Sequence, residues 1–347
     1  MTERDKKQIG TGKEIFPFTR SICSIKLAKD GKIDSKKSSE YDCFSKEELL
    51  SMVEEYNYLQ SKGESYAIKQ GYLESLVKTF INGGINARGK TKKEIINILE
   101  KRFRFNDKKI CHDKTSACVL SLVHKNRQLY NTLEKNLNPV GPLKKKDDWL
   151  SNFDIDAVMK KVMEIYPDFL YLGTVPIDFA TVPTGTLLDK FNIQKFLDTT
   201  SYRRFGIVFN TDTSEGSGIH WISIFIDATT LPDTISIEFF DSVAPKRFGK
   251  RVGQRQIKEF MDKFEKEVKE KVVSCLDKIC KKPIIHRKFN VNEKQYKNSE
   301  CGVYSLWFIS SRLAHTSFDE IENMSAPDSI INWGRSTFFR GYMRKFS

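Results

Sequence analysis

Apolar residues recur along this chain at two spacings, and the texture changes near residue 148. Before it the spacing is helical. Residues 46–80 read as helix, with Leu73, Leu76, Val77, Phe80 and Ile81 on one face. Ile95, Ile96, Leu99 and Phe103 repeat that spacing after a polar break, and 115–135 reads as a further helix. After residue 148 the pattern predicts a helix over 153–165, then loop-rich sequence around Pro176 and Pro183. Three strands follow: Arg-Phe-Gly-Ile-Val-Phe-Asn from 204, His-Trp-Ile-Ser-Ile-Phe-Ile-Asp from 220 and Thr-Ile-Ser-Ile-Glu-Phe-Phe from 234. In the second, Ile222, Ile224 and Ile226 share one face, with Trp221, Phe225 and Asp227 on the other. Ile257, Phe260, Met261, Phe264, Val268, Val272 and Leu276 form one stripe of an amphipathic helix over 251–276. A short strand near 285–291, an apolar helix from 301 to 314 and a basic, aromatic-bearing helix in the tail complete the pattern.

These elements divide the chain. Residues 1–45 read as a flexible basic leader and 46–138 as a helical basic N-terminal domain. The Pro/Gly and charge-rich run at 139–148 reads as a linker, and 149–347 as a second domain of mixed α+β type. At 347 residues, two cores are expected. With 39% hydrophobic and 30% charged residues, a collagen-like, mainly disordered or miniprotein chain is excluded. No run approaches a membrane span, and the first residues lack the apolar core of a secretory signal. Seven cysteines without disulfide-framework spacing suggest a reducing compartment. The net charge of +13 is uneven. Residues 1–148 carry 30 Lys/Arg against 20 Asp/Glu, and residues 149–347 carry 28 against 25. Most of the basic excess thus sits outside the second domain.

Three features of the second domain carry chemistry. His220-Trp221 opens a strand, Asp241-Ser242 closes the next, and Gln295 stands six residues ahead of Cys301-Gly302 at the head of an apolar helix. A thiol becomes a thiolate near neutral pH when an imidazole and a helix N-terminus stabilise the anion, which suits Cys301 with His220. Asp241 would hold the imidazole in the correct tautomer. Gly302 permits close backbone approach, and the Gln295 carboxamide could complete an oxyanion hole. Singly each residue has an ordinary structural explanation; jointly, in this order and context, they point to nucleophilic catalysis.

The order His-Trp, Asp-Ser, Gln-x5-Cys-Gly resembles the ubiquitin-like-protein-specific cysteine proteases. That group includes the SUMO-deconjugating enzymes, adenain and the maturation proteases of large DNA viruses. The resemblance covers residues 149–315 and includes a lead-in segment, Trp149-Leu150-Ser151-Asn152 followed by Ile155 and Met159. It implies a mixed sheet flanked by helices and a Cys301–His220–Asp241 triad with Gln295 as oxyanion donor. It further implies that Trp149 and Trp221 close over substrate glycines, so that cleavage follows Gly-Gly-type sites in a protein substrate. Departures are Glu300 in place of the commoner Asp, and a long charged insertion between Asp241 and Gln295.

Two motifs in the first half point elsewhere. Residues 84–91, Gly-Ile-Asn-Ala-Arg-Gly-Lys-Thr, match a P-loop literally but follow helical rather than strand spacing, which argues against nucleotide hydrolysis. The stretch 73–103 resembles a SAP-type helix–loop–helix. In that reading Arg88, Lys90, Lys92 and Lys93 contact DNA phosphates; an ordinary helical hairpin with a solvated basic loop is the alternative. Cys111, His112, Cys118 and His124 lack zinc-knuckle spacing, so neither metal nor organic cofactor is expected.

The expectation is therefore a cysteine endopeptidase that processes viral structural polyproteins during virion maturation, located in the virion and host cytoplasm. Two alternatives stand beside it: a cellular SUMO deconjugase of cytoplasm and nucleus, and a nucleic-acid-binding protein whose protease-like domain is an inactive scaffold.

Overall fold

The computed structural model describes residues 27–30, 32, 43–61, 87, 89–103, 120, 123, 126–142, 148–244, 254–272, 274–276 and 279–340. They fall into two compact units. Unit 1 takes its described residues from 27–33 and 142–335; unit 2 takes them from 34–141 and 336–340.

Unit 2 is helical. Helices α1 (Lys46–Ser61) and α2 (Lys92–Phe103) bury Leu49, Met52, Val53 and Tyr56 with Ile95 and Leu99; Leu133 of α3 (Arg127–Glu134) joins the same core. α2 starts at Thr91. The Glu94 carboxylate accepts the Thr91 amide at 2.7 Å and the Thr91 hydroxyl accepts the Glu94 amide at 3.3 Å, a reciprocal cap. α3 is capped at its start by the Asn126 side chain, which accepts the Leu129 amide at 3.0 Å; of the earlier part of the helix read over 115–135, only Leu120 and Val123 are described, and Leu120 is helical. Residues 336–340 also belong to this unit: Arg340 bridges Val140 in parallel and pairs with Glu134 at 2.6 Å. Arg88 and the expected helix over 73–81 lie outside the described residues, as do Cys111, His112, Cys118 and His124. Cys43 is disulfide-bonded, which the cysteine spacing did not suggest.

Unit 1 is built on a mixed sheet of order β1-β2-β3-β4-β7. The strands are β1 (Phe169–Val175), β2 (Arg204–Asn210), β3 (Trp221–Asp227), β4 (Thr234–Phe240) and β7 (Ile284–Phe289); β5 (Ser274–Leu276) and β6 (Ile279–Lys281) form a separate hairpin. β2, β3 and β4 run antiparallel in turn, while β1 and β7 are parallel to their neighbours β2 and β4. Helices cover both faces. Ile222, Ile224 and Ile226 pack with Ile257, Met261, Phe264 and Val268 of α6 (Gln254–Lys271). Against the other face lie α4 (Asn152–Ile165) and α7 (Cys301–Leu313). The helices α5 (Ile193–Thr199), α8 (Phe318–Asn323) and α9 (Asp328–Phe338) complete the set.

Three expectations are corrected. The stretch read as loop before Pro176 contains β1. Its run of buried apolar residues shows no period-2 signal and is broken by an irregularity in register between Tyr171 and Gly173. The helix expected over 251–276 ends at Lys271 and gives way to the β5–β6 hairpin, although Val272 still lies in the core. The tail helix starts at Asp328, earlier than its aromatic stretch implied. Among the described residues no helix is long and apolar enough to cross a membrane, and no cluster of three or more metal-ligating side chains occurs.

Candidate active site

The β2–β3 hairpin delivers His220. Its loop is tied internally: Asn210 Oδ1 accepts the amides of Asp212 and Ile219, both at 3.0 Å, and Asp212 Oδ2 accepts the Gly218 amide at 3.0 Å. Gly218 has φ +92°, a conformation that a side chain disfavours. The Thr211 amide donates to the His220 carbonyl at 2.8 Å, closing the hairpin directly at the histidine.

Antiparallel pairing of β3 with β4 then carries the start of one strand to the end of the other. Ser223 pairs with Phe240, so His220 and Asp241 emerge side by side. His220 Nε2 and Asp241 Oδ1 are 2.7 Å apart, and a carboxylate can only accept in that bond. Asp241 is itself clamped. Asn290, just beyond β7, accepts the Asp241 amide at 2.8 Å and donates to its carbonyl at 2.7 Å, while Asp241 Oδ1 also accepts the Val243 amide at 3.0 Å.

Cys301 is the first residue of α7 and is buried, at the end of the helix where the macrodipole is positive. The His220 imidazole is hydrogen-bonded to Asp241. Burial alone would lower the imidazole pKa. The interactions with Asp241, and after them those with Cys301, outweigh it and raise the value from 6.5 to about 10. Gln295 is buried beside this group. Its side-chain oxygen accepts the Ser242 hydroxyl at 2.6 Å and its nitrogen donates to the Lys297 carbonyl at 2.5 Å.

The lead-in segment reaches the same place. α4 is capped by Ser151, whose hydroxyl accepts the Asp154 amide while the Asp154 carboxylate accepts the Ser151 amide. Just before it, the Leu150 carbonyl accepts the Trp221 indole N–H at 2.9 Å. A Cβ on Gly302 would stand 3.0 Å from Leu150 Cβ and 3.2 Å from Trp221 Cδ1, so glycine lets these three segments close. Trp221 is buried, whereas Trp149 is 48% exposed. Lys90, Lys92 and Lys93 belong to unit 2, at the start of α2.

Several residues outside the sequence motif shape the site. Asn290, Tyr304, Asp328 and Arg335 are buried around the loop that leads to Cys301. The Tyr304 hydroxyl lies 2.7 Å from both the Lys294 and Ala326 carbonyls and 3.1 Å from Asp328 Oδ1. No sequence signal marks Asn290 or Arg335. Tyr304 stands out in the sequence only as a polar group within an apolar helix.

A buried cysteine at a helix head and a histidine bonded to a carboxylate are the groups that cysteine hydrolysis needs. No protein-family profile matches the chain. Individual proteins do. The chain is 31% identical over 202 residues to R355 of Acanthamoeba polyphaga mimivirus, which bears a thiol-protease name; the match spans 58% of this chain and 60% of that protein. It is 27% identical over 263 residues to a cysteine protease of African swine fever virus, covering 72% of this chain and 89% of the viral protein. A crystal structure of that virus's protease superposes with a TM-score of 0.56 at 17% identity, over 93% of this chain and 97% of that one. The chain is thus a homologue of viral cysteine proteases and has the fold of the African swine fever virus enzyme.

Proposed function

We propose that this chain is a cysteine endopeptidase that cleaves viral structural precursors after Gly-Gly-type sites. The observation that carries the reading is the 2.7 Å His220–Asp241 bond together with the buried Cys301 at the head of α7. In this mechanism the Cys301 thiolate attacks a glycine carbonyl, His220 protonates the departing amine, and water, activated by His220, hydrolyses the thioester. Asp241 orients the imidazole and stabilises its cation. A carboxamide nitrogen carries two hydrogens; the bond to Lys297 uses one on Gln295 and leaves one for the oxyanion, alongside the Cys301 amide. In this reading Trp149 and Trp221 flank the scissile bond, where two indoles would leave room for glycine but little for a Cβ; the packing of Trp221 on Gly302 and its bond to the Leu150 carbonyl support its part in this. The relatives' names support a viral setting, which in this reading places the enzyme in the virion or host cytoplasm, and the protein of some swine fever virus isolates carries the name SUMO-1 cysteine protease. The basic excess of residues 1–148 supports a further role for the N-terminal part in holding the enzyme on nucleic acid.

The test is labelling with a Gly-Gly vinyl probe. Wild type should be labelled and Cys301→Ala should not; labelling of neither would overturn the reading. Incubation with a folded SUMO conjugate beside a Gly-Gly-containing capsid precursor separates deconjugase from processing enzyme. Cleavage of the conjugate alone would favour the former.

A further inference from the structure

The loop that carries the thiol is held by a helix remote from it in sequence. Asp328, the first residue of α9, accepts the amides of Tyr296 and Lys297 through one carboxylate oxygen, both at 2.9 Å. Two turns along the same helix stands Arg335, which is fully buried. Its Nη1 donates to the Asp148 carbonyl and its Nη2 to the Ser299 carbonyl, each at 2.8 Å; its Nε, also buried, has no hydrogen-bond partner.

This is an expensive way to fill space. Burying a guanidinium costs several kcal/mol by general estimates, and an aliphatic side chain of similar volume often serves packing as well or better. What arginine adds is a rigid planar fork that reaches two acceptors at fixed separation. Here the two prongs end on two segments of the site. Asp148 precedes Trp149 and Leu150, and Ser299 precedes the Cys301 turn by two residues. The same segments meet again where Leu150 packs on Gly302 and holds the Trp221 indole. Arg335 therefore ties the lead-in segment to the nucleophile turn, whereas the His220–Asp241 bond is made by the β2–β3 hairpin and β4.

We infer that Arg335 is a positioning residue: its guanidinium sets the Trp149–Leu150 segment against the Cys301 turn, so that a bound peptide and the thiol meet in register. The inference rests on the cysteine-protease reading above. It predicts that peptide turnover depends on Arg335 while the intrinsic reactivity of the thiol does not.

The experiment compares full-length wild type, Arg335→Lys, Arg335→Met and Cys301→Ala, each normalised to its folded fraction. Readouts are kcat and KM on a fluorogenic Gly-Gly peptide, labelling by the Gly-Gly vinyl probe, and the pH profile of Cys301 alkylation by iodoacetamide, which needs no peptide site. A misplacement of about 1 Å costs about a hundredfold in rate, so kcat/KM should fall about 10- to 100-fold, with Lys retaining more than Met. Iodoacetamide should react at the wild-type rate with the wild-type pH profile. Unchanged peptide turnover per folded molecule would overturn the inference. So would equal losses in turnover and alkylation, which would make Arg335 a structural residue only. If Met does not fold, the same comparison decides on Lys, which keeps the charge. If wild type itself neither takes the probe nor turns over peptide, the protease reading has failed, and the inference falls with it.

Discussion

Replacing Asp241 by Asn tests the electrostatics of the site most directly. Burial works against the His220 cation, yet the imidazole is held protonated up to about pH 10 against an ordinary 6.5, with the hydrogen bond to Asp241 as its main support. That interval corresponds to about 5 kcal/mol of preference for the imidazolium, shared between Asp241 and Cys301. Asn keeps the shape but removes the charge, and its NH2 can face the imidazole as a donor. The imidazolium then loses its main support. Turnover should drop by about three to four orders of magnitude, as for other nucleophile–His–Asp systems. Its alkaline limit should retreat from near pH 10 towards neutrality. Stability should follow with a definite sign. A histidine whose pKa is raised on folding stabilises fully below pH 6.5, and that stabilisation is lost as pH rises towards 10. The thermal midpoint of wild type should therefore fall between those pH values by more than that of Asp241→Asn. The assays are iodoacetamide alkylation of Cys301 across pH, peptide turnover, and thermal unfolding at matched pH. An Asp241→Asn protein with an unchanged alkylation profile and an unchanged alkaline limit would refute the argument.

Asn290→Ala removes both side-chain bonds to the Asp241 backbone. The Ala244 amide still serves the carbonyl at 2.9 Å, so the exposed loss is the Asp241 amide, about 1–3 kcal/mol by chemical denaturation, with reduced turnover; unchanged stability would refute the clamp. Gly302→Ala places a Cβ 3.0 Å from Leu150. Overpacking of about 1–3 kcal/mol is partly offset by about 1 kcal/mol of helix preference, so the sensitive readout is a raised KM, and an unchanged KM would count against close approach here. Changing Lys90, Lys92 and Lys93 together to Glu should weaken duplex-DNA binding by the full-length protein and flatten its salt dependence by about 0.9 for each phosphate no longer neutralised; equal binding and slope would end the nucleic-acid reading of this segment.

Much of the site was legible because its chemistry is local in sequence. His220 beside a strand start, Asp241 at a strand end and Cys301-Gly302 before an apolar helix each combine a reactive type with a position that period and turn signals can locate. The strands that carry His220 and Asp241 alternate well enough to be read one residue at a time, and their antiparallel pairing makes the two residues neighbours. β1 was not legible, because its apolar run Phe-Leu-Tyr-Leu is short and is broken by the irregularity at Tyr171/Gly173, where Gly173 has φ +131°. The β5–β6 hairpin was hidden behind apolar residues that continue the stripe of α6.

By itself, then, the sequence determined which residues are candidates for the chemistry, their order and the elements that present them, since these depend on side-chain type and on spacing over a few residues. Only the tertiary structure decided what holds those residues at bonding distance. Asn290 reaches Asp241 because β7 lies parallel to β4, and Asp328 and Arg335 reach the nucleophile loop because α9 packs against it. Such partners are joined through main-chain amides and carbonyls, which every residue carries, so no pattern of side chains announces them.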